Sequence, residues 1–332
     1  DVASGQEADQ PVLQIQYRDA QGVEPQWTYT TISGGRGTSA SVNNFNGNLT
    51  VVQPLAGVDG NRMPLSLNLV YNGSQIGHSY APGTSNGCVV GFGWRTNLHM
   101  RVDPTDPLVS QGVDKTTYPY MFTDADGTRH FFYTKGGEMK DEDGLGYTLT
   151  IDESTDDDYF IITDKDKGKM TFTKWGYLHT VQDSNGNAVT LQYSGALVTK
   201  ITDGAGREYT LGYSSSTLVS VTDEAGRVTR LRYSGGQLQW IDYPDGYTME
   251  LGYVTAGNKV PEDTYLNMLN FPGALKTQIV YSGRQATSLA YSYGNRDIIE
   301  QYLFSYDPYS TKITDNKSGR SVVYTFNRYG QT

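Results

Sequence analysis

Polar and apolar residues alternate with a period of two along most of this chain, and from residue 164 onward the alternation itself repeats. Leu191-Gln-Tyr193, Leu211-Gly-Tyr213, Leu231-Arg-Tyr233 and Leu251-Gly-Tyr253 recur every 20 residues, and Gly186, Gly206, Gly226 and Gly246 precede each tyrosine by seven. Val181, Ile201, Val221 and Ile241 keep the same step, with Asp183, Asp203 and Asp223 two positions later. Period-two alternation marks a half-buried strand. A Ser-Gly or Ser-Ser break follows each tyrosine, then a short apolar run such as Leu197–Ile201 or Leu238–Ile241. Asp-x-x-Gly closes the unit with a residue suited to start a turn and one that accepts positive φ. Each unit therefore reads as a β-hairpin with a turn at both ends. A lone hairpin is marginal in water, so neighbours must stack and share an apolar face. On this reading the tyrosine column is a ladder of ring contacts.

The fold class expected is all-β, a ribbon of antiparallel hairpins of about 20 residues each, curved into an arc or partial shell. Looser units extend the pattern to Asp124-Ala-Asp126-Gly127 and Asp164-Lys-Asp166 on one side, and to Ile279–Gly283, Leu289–Gly294 and Ile313–Tyr324 on the other. Residues 1–110 are strand-and-turn in character without the period, as in Leu65–Tyr71 and Val89–Trp94, and read as a β-rich lead-in or capping segment. Residues 111–332 read as the ribbon, clearest at 164–253, with an irregular insertion at 254–275 flanked by Pro261 and Pro272. The visible repeats predict on the order of ten to fourteen strands, roughly 50–70 Å of sheet. Thr332 falls in what reads as the next turn, so the chain is expected to be a piece truncated at its C-terminus.

Composition narrows the partners. Of 332 residues 38 are Gly, and Tyr (26) outweighs Phe (10) and Trp (4), so the aromatics are amphipathic and the turns abundant. Asp and Glu exceed Lys and Arg by 36 to 26, a net charge of -10 that repels phosphate backbones and argues against nucleic acid. No apolar run approaches the roughly 18 residues of a membrane span, so membrane insertion is not expected. Cys88, the single cysteine, excludes an internal disulfide and reads as a small hydrophobe.

The motif Asp-x-x-Gly-Arg-x-x-x-Leu-x-Tyr on a 20-residue step resembles the YD repeat of the Rhs (rearrangement hot-spot) family. That family includes bacterial polymorphic toxins, insecticidal toxin-complex C components, wall-associated proteins and teneurins. Gly47-Asn-Leu-Thr, Asn61-Arg-Met-Pro-Leu-Ser, Val70-Tyr-Asn and Gly91-Phe-Gly-Trp-Arg-Thr-Asn97 are similar to the lead-in of secreted Gram-positive members. The resemblance implies a spiralling ribbon that encloses cargo, often the protein's own C-terminal toxin, and a secreted or cell-surface location. It implies a structural role in toxin containment and interbacterial competition. The self-cleaving core of the family has no match here, so no cleavage residue is carried over.

Catalytic and cofactor chemistry finds little support. His78, His99, His130 and His179 show no metal-ligand spacing and read as strand histidines, half-exposed. Asp124-x-Asp126 and Asp164-x-Asp166 are spaced as a calcium loop begins but fit the repeat turn, so no cofactor is expected. Carboxylates are plentiful, and a glycoside hydrolase needs only a facing pair, which keeps that activity as a remote alternative. The serious rival is a surface adhesin or glycan-binding module, with Trp175, Trp240, Tyr243 and Tyr247 as the stacking residues. Arg207, Arg227, Arg230 and Arg232 read as solvated outer wall. An unpaired terminal strand also predicts edge-to-edge self-association of the chain.

Overall fold

A computed structural model describes residues 22–60, 62–76, 90–105, 113–256, 263–271, 273, 275–294, 297–327 and 332. His78, Cys88, Pro261, Pro272 and the turn at Tyr329-Gly330 lie outside the described residues. The described residues form two antiparallel sheets with no α-helix. The first is a five-stranded meander, β1 (Tyr29–Ser33), β2 (Ser39–Asn43), β3 (Leu49–Gly57), β4 (Ser66–Asn72) and β5 (Trp94–Thr96).

The second sheet is the ribbon. It opens with β6 (Arg101–Pro104), β7 (Tyr120–Thr123), β8 (Arg129–Lys135), β9 (Glu138–Asp141), β10 (Thr148–Ile151), β11 (Phe160–Thr163), β12 (Lys169–Phe172) and β13 (Leu178–Gln182). Each strand pairs with the next, and an isolated bridge from Arg101 to Tyr177 returns β6 to the foot of β13. The ribbon's start is thereby curled into a coil, filled by the buried rings of Phe122, Phe132, Phe160 and Phe172. Then come the hairpins β14 (Ala188–Ser194) with β15 (Leu197–Thr202), β16 (Glu208–Ser214) with β17 (Thr217–Thr222), and β18 (Val228–Ser234) with β19 (Gln237–Asp242). The ribbon continues through β20 (Thr248–Thr255), β21 (Thr264–Asn270), β22 (Leu275–Ser282), β23 (Gln285–Tyr293), β24 (Asp297–Asp307), β25 (Ser310–Asp315) and β26 (Ser321–Thr325). It stays open, with β26 laddered to β25 alone among the described residues.

Two expectations change here. The ribbon runs from β6 to β26, more strands than the clean repeats suggested, because the first coil keeps strand alternation while losing the 20-residue step. The stretch 254–275 is not simply irregular: β21 lies within it and pairs with both β20 and β22.

The repeat columns have distinct physical jobs. In the turns, Asp183 Oδ1 accepts the N–H groups of Asn185 and Asn187, each at 2.9 Å, and Asp203 and Asp223 do the same one and two repeats on. Gly206 sits at φ 82°, the left-handed conformation that closes the turn. The arginine after it reaches back, Arg207 Nε to Asp203 at 2.6 Å and Arg227 Nε to Asp223 at 2.7 Å. On the strands, Leu191, Leu211, Leu231 and Leu251 are buried on the face that meets the core.

The tyrosines do not form the expected ring ladder. Members of the column stand two strands apart, roughly 10 Å, beyond ring contact. Their hydroxyls act instead. Strands of adjacent hairpins pair at only three positions, as in Lys200–Thr210, Ile201–Tyr209 and Thr202–Glu208, and then separate. Each tyrosine bridges that gap by donating to a carbonyl 15 residues earlier: Tyr193 to Leu178, Tyr213 to Val198, Tyr233 to Leu218, Tyr253 to Leu238 and Tyr281 to Leu266, at 2.6–2.8 Å. A β-bulge lies at the same tyrosine on its other side, which bends the strand. Burial raises the hydroxyl pKa of Tyr193 and Tyr253, so they remain protonated donors. Tyr213→Phe should therefore lose about 1–2 kcal/mol in a urea titration although its ring is kept, because the Val198 carbonyl is left without its donor. Wild-type stability in that variant would show the hydroxyl to be idle.

Candidate functional site

The apolar face of the ribbon is covered by the N-terminal sheet. Leu191, Ile201, Leu211, Val221, Leu231, Ile241, Leu251 and Leu269 share one contiguous core with Val42, Leu49, Val51, Leu67, Leu69 and Tyr71 of the meander. Polar bonds fix the register of the two sheets. The Leu266 N–H donates to the Tyr71 hydroxyl at 2.9 Å, Trp94 Nε1 donates to the Tyr253 hydroxyl at 2.9 Å, and the Ala286 N–H donates to the Gly47 carbonyl at 3.0 Å. Gly91 allows the close approach of the sheets, and Gly93 makes room for the Tyr71 ring within the meander. A Cβ on Gly91 would stand 3.0 Å from the Leu238 nitrogen on β19, and one on Gly93 would stand 2.7 Å from the Tyr71 ring.

A second junction is built from charge. The β7–β8 turn, Asp124 to Thr128, receives Asn72 Nδ2 on the Asp126 carbonyl at 2.9 Å and Gln75 Nε2 on the Gly127 carbonyl at 3.4 Å. Arg95 from β5 reaches the Asp124 carbonyl at 3.4 Å, and the Val23 N–H donates to Asp126 Oδ2 at 2.8 Å. Behind this turn His130 is buried between two carboxylates, Nδ1 at 2.7 Å from Asp143 and Nε2 at 3.1 Å from Asp124. Burial opposes its cation, but the two carboxylates outweigh burial and raise its pKa to about 10. Burial likewise opposes charge on Asp124, yet the bond to His130 holds that carboxyl below its usual range. Asp126 has no such partner, so burial and the Asp124 charge push it up to about 7. The sequence pattern placed His130 as a half-exposed strand residue; one partner, Asp124, comes from a loose repeat turn and the other, Asp143, from the β9–β10 loop, which carries no repeat signature.

The proposed glycan residues do not converge. Trp175 is 59% exposed and Tyr247 52% exposed, but they sit in the β12–β13 and β19–β20 turns, on opposite rims of the ribbon. Trp240 lies under the Arg232 guanidinium at 4.8 Å, and that arginine is paired to Asp242 at 2.6 Å. Tyr243 is buried, its hydroxyl engaged with Gln53 and the Pro54 carbonyl. Its ring is covered by Arg36 at 4.0 Å, which also pairs with Asp245 at 2.7 Å. In the sequence Arg36 is marked only by Gly34-Gly-Arg-Gly37, too short for a phosphate loop and followed by no helix, and in the structure it stands at φ 55°. An open cleft of about 1020 Å³ lies beside it, bounded by Pro54, Asp59, Arg227 and Asp245, and its arginines are already neutralised by Asp245 and Asp223.

Asp124, Asp126 and Asp164 use their oxygens on turn N–H groups, and Asp124 also on His130. Among the described residues no three His, Cys, Asp or Glu side chains are arranged to hold a metal ion. No described helix is long and apolar enough to cross a membrane.

No protein-family model matches the sequence, and no curated protein does. Among solved structures the chain is similar to a crystal structure of TcdB2-TccC3-TEV at 13% identity, covering 91% of this chain and 16% of that one with a TM-score of 0.32. It is similar to TcdB2-TccC3 without its hypervariable C-terminal region at 11% identity, covering 86% and 22% with a TM-score of 0.28. The Photorhabdus luminescens Tc holotoxin pore gives 10% identity, 87% and 22% coverage and a TM-score of 0.25. The chain thus spans less than a quarter of the length of these structures.

Proposed function

We propose that this chain is a non-enzymatic, structural segment of a secreted bacterial shell protein, and that it forms the plugged end of a wall that contains a C-terminal effector. The observation that carries this reading is the covered apolar face: a hairpin ribbon curls on itself at β6–β13 and then wraps its own N-terminal sheet in one continuous core. A wall so packed excludes solvent and macromolecules from that end, whereas an open groove would admit them. The cargo is then held by whatever part of the protein follows, and the open edge at β26 is where the wall extends. The glycan-binding reading is weaker, because its four aromatic residues are dispersed or covered.

The test uses the complete gene product. The proposal expects further hairpin units and an effector segment after Thr332, with the effector protected from trypsin in the intact protein and digested once Tyr71→Ala loosens the plug. A reading frame without such a segment, or an effector cut equally fast in both proteins, would overturn it.

A further inference from the structure

The charged junction between the β7–β8 turn and the N-terminal sheet serves more than packing. Four groups stand in a row, Asp126, Asp124, His130 and Asp143, and each structural part of the junction touches one of them or adjoining backbone. Val23 hangs from the Asp126 carboxyl, Arg95 from the Asp124 carbonyl, Asn72 from the Asp126 carbonyl and Gln75 from the Gly127 carbonyl next to it. Asp126 also accepts the N–H of Thr128 at 3.0 Å and its hydroxyl at 2.7 Å. Also facing the row are Arg95, which stabilises the Asp124 carboxylate, the Tyr147 ring, 6.4 Å from the His130 ring, and, from β1, Tyr29, whose hydroxyl feels the Asp126 charge.

We propose that this row is a proton-loaded clasp that holds the N-terminal segment and sheet on the ribbon's first coil, and that it releases them as protons are withdrawn above neutral pH.

The charges explain the direction. With His130 and Asp126 both protonated, the imidazolium stands between two carboxylates and the row carries a single net negative charge. Removing that proton leaves Asp124 and Asp143 facing a neutral ring, with Asp126 ionised beside Asp124. Like charges then meet where Val23, Asn72, Gln75 and Arg95 are anchored. The folded pKa of His130 lies above its ordinary value of 6.5, so its stabilisation is complete below about 6.5 and lost as pH rises through about 10. Asp126 is also raised, from 3.8 to about 7, so its ionisation weakens the fold progressively across that interval and fully above it. Asp124 is lowered, and its contribution disappears only as pH falls below the ordinary carboxylate range. The clasp is accordingly tight in mild acid and loose in alkali, opposite to a histidine switch that opens on acidification.

Amide hydrogen exchange, corrected for the intrinsic pH dependence, tests this on the whole chain at about pH 6 and pH 9.5. Protection at Val23, Gln75 and Arg95 should fall about tenfold or more at the higher pH, while protection in β16–β19 stays constant. Asp126→Asn keeps an oxygen for the Val23 N–H and removes one titration, so its protection should survive to higher pH than in the wild type. His130→Gln should exchange fast at both pH values. Equal protection at the two pH values in the wild type, or parallel pH profiles for the wild type and Asp126→Asn, would overturn the proposal. Should His130→Gln fail to fold, the Asp126→Asn comparison decides alone.

Discussion

Replacing Tyr71 by alanine is expected to destabilise the protein by about 3–5 kcal/mol, among the largest effects available to a single substitution here. Tyr71 is fully buried on β4 and packs its ring 5.3 Å from that of Trp94. Its hydroxyl accepts the Leu266 N–H from a strand 195 residues away, at the heart of the contact between meander and ribbon. Alanine removes the ring and leaves both a cavity and a buried donor without its partner. Tyr71→Phe separates the two, costing about 1–3 kcal/mol for the unmet Leu266 N–H alone. Guanidinium titrations followed by tryptophan fluorescence measure both. A loss below about 1 kcal/mol for the alanine variant would mean that the two sheets are not packed as described.

The second large effect lies at the curl of the ribbon. Gly176 stands at φ 81°, and a Cβ there would sit 2.0 Å from the Val102 carbonyl oxygen, at the point where β6 meets the foot of β13. The same crossing carries the Val102 N–H to the Gly176 carbonyl at 3.1 Å and Arg101 Nη2 to the Trp175 carbonyl at 3.1 Å, with Arg101 stacked on Tyr177 at 4.6 Å. Gly176→Ala must push β6 away and should cost about 3–5 kcal/mol, combining backbone strain with overpacking. Gly206→Ala is the matched control. Gly206 has nearly the same φ, 82°, and nothing within 4 Å, so only the backbone penalty of about 1–2 kcal/mol applies. Similar losses in the two variants would show that the curl contributes nothing.

What the sequence made legible was local and periodic. The 20-residue step located the hairpins, and the Asp and Gly columns located their turns, because turn chemistry is encoded within a few residues. The arginines after Gly206 and Gly226 were visible but not their use as braces on the turn aspartates. The tyrosine column was equally visible and its role was misread. Ring stacking was inferred from a spacing along the chain, whereas the separation across two strands permits only the hydroxyl to reach a neighbour. β21 was hidden because the short serine break that follows the other repeat tyrosines is replaced by a longer stretch after Tyr253, and Asn270-Phe-Pro-Gly273 stands where the units at Asp183, Asp203 and Asp223 carry Asp-x-x-Gly. The docking of the meander could not be read at all. Tyr71 and Leu266, Trp94 and Tyr253, and Gly47 and Ala286 are joined across long stretches of chain by no shared motif, and the His130 row gathers a turn, a loop and the N-terminal segment. Gly91 was the one local sign that two backbones come close there.

Meander and ribbon share one core and form one cooperative unit, not two domains in contact. Differential scanning calorimetry tests it directly. One transition is predicted, with equal calorimetric and van't Hoff enthalpies, moved as a whole to lower temperature by Tyr71→Ala. Two resolved transitions, only one of them displaced by Tyr71→Ala, would contradict it.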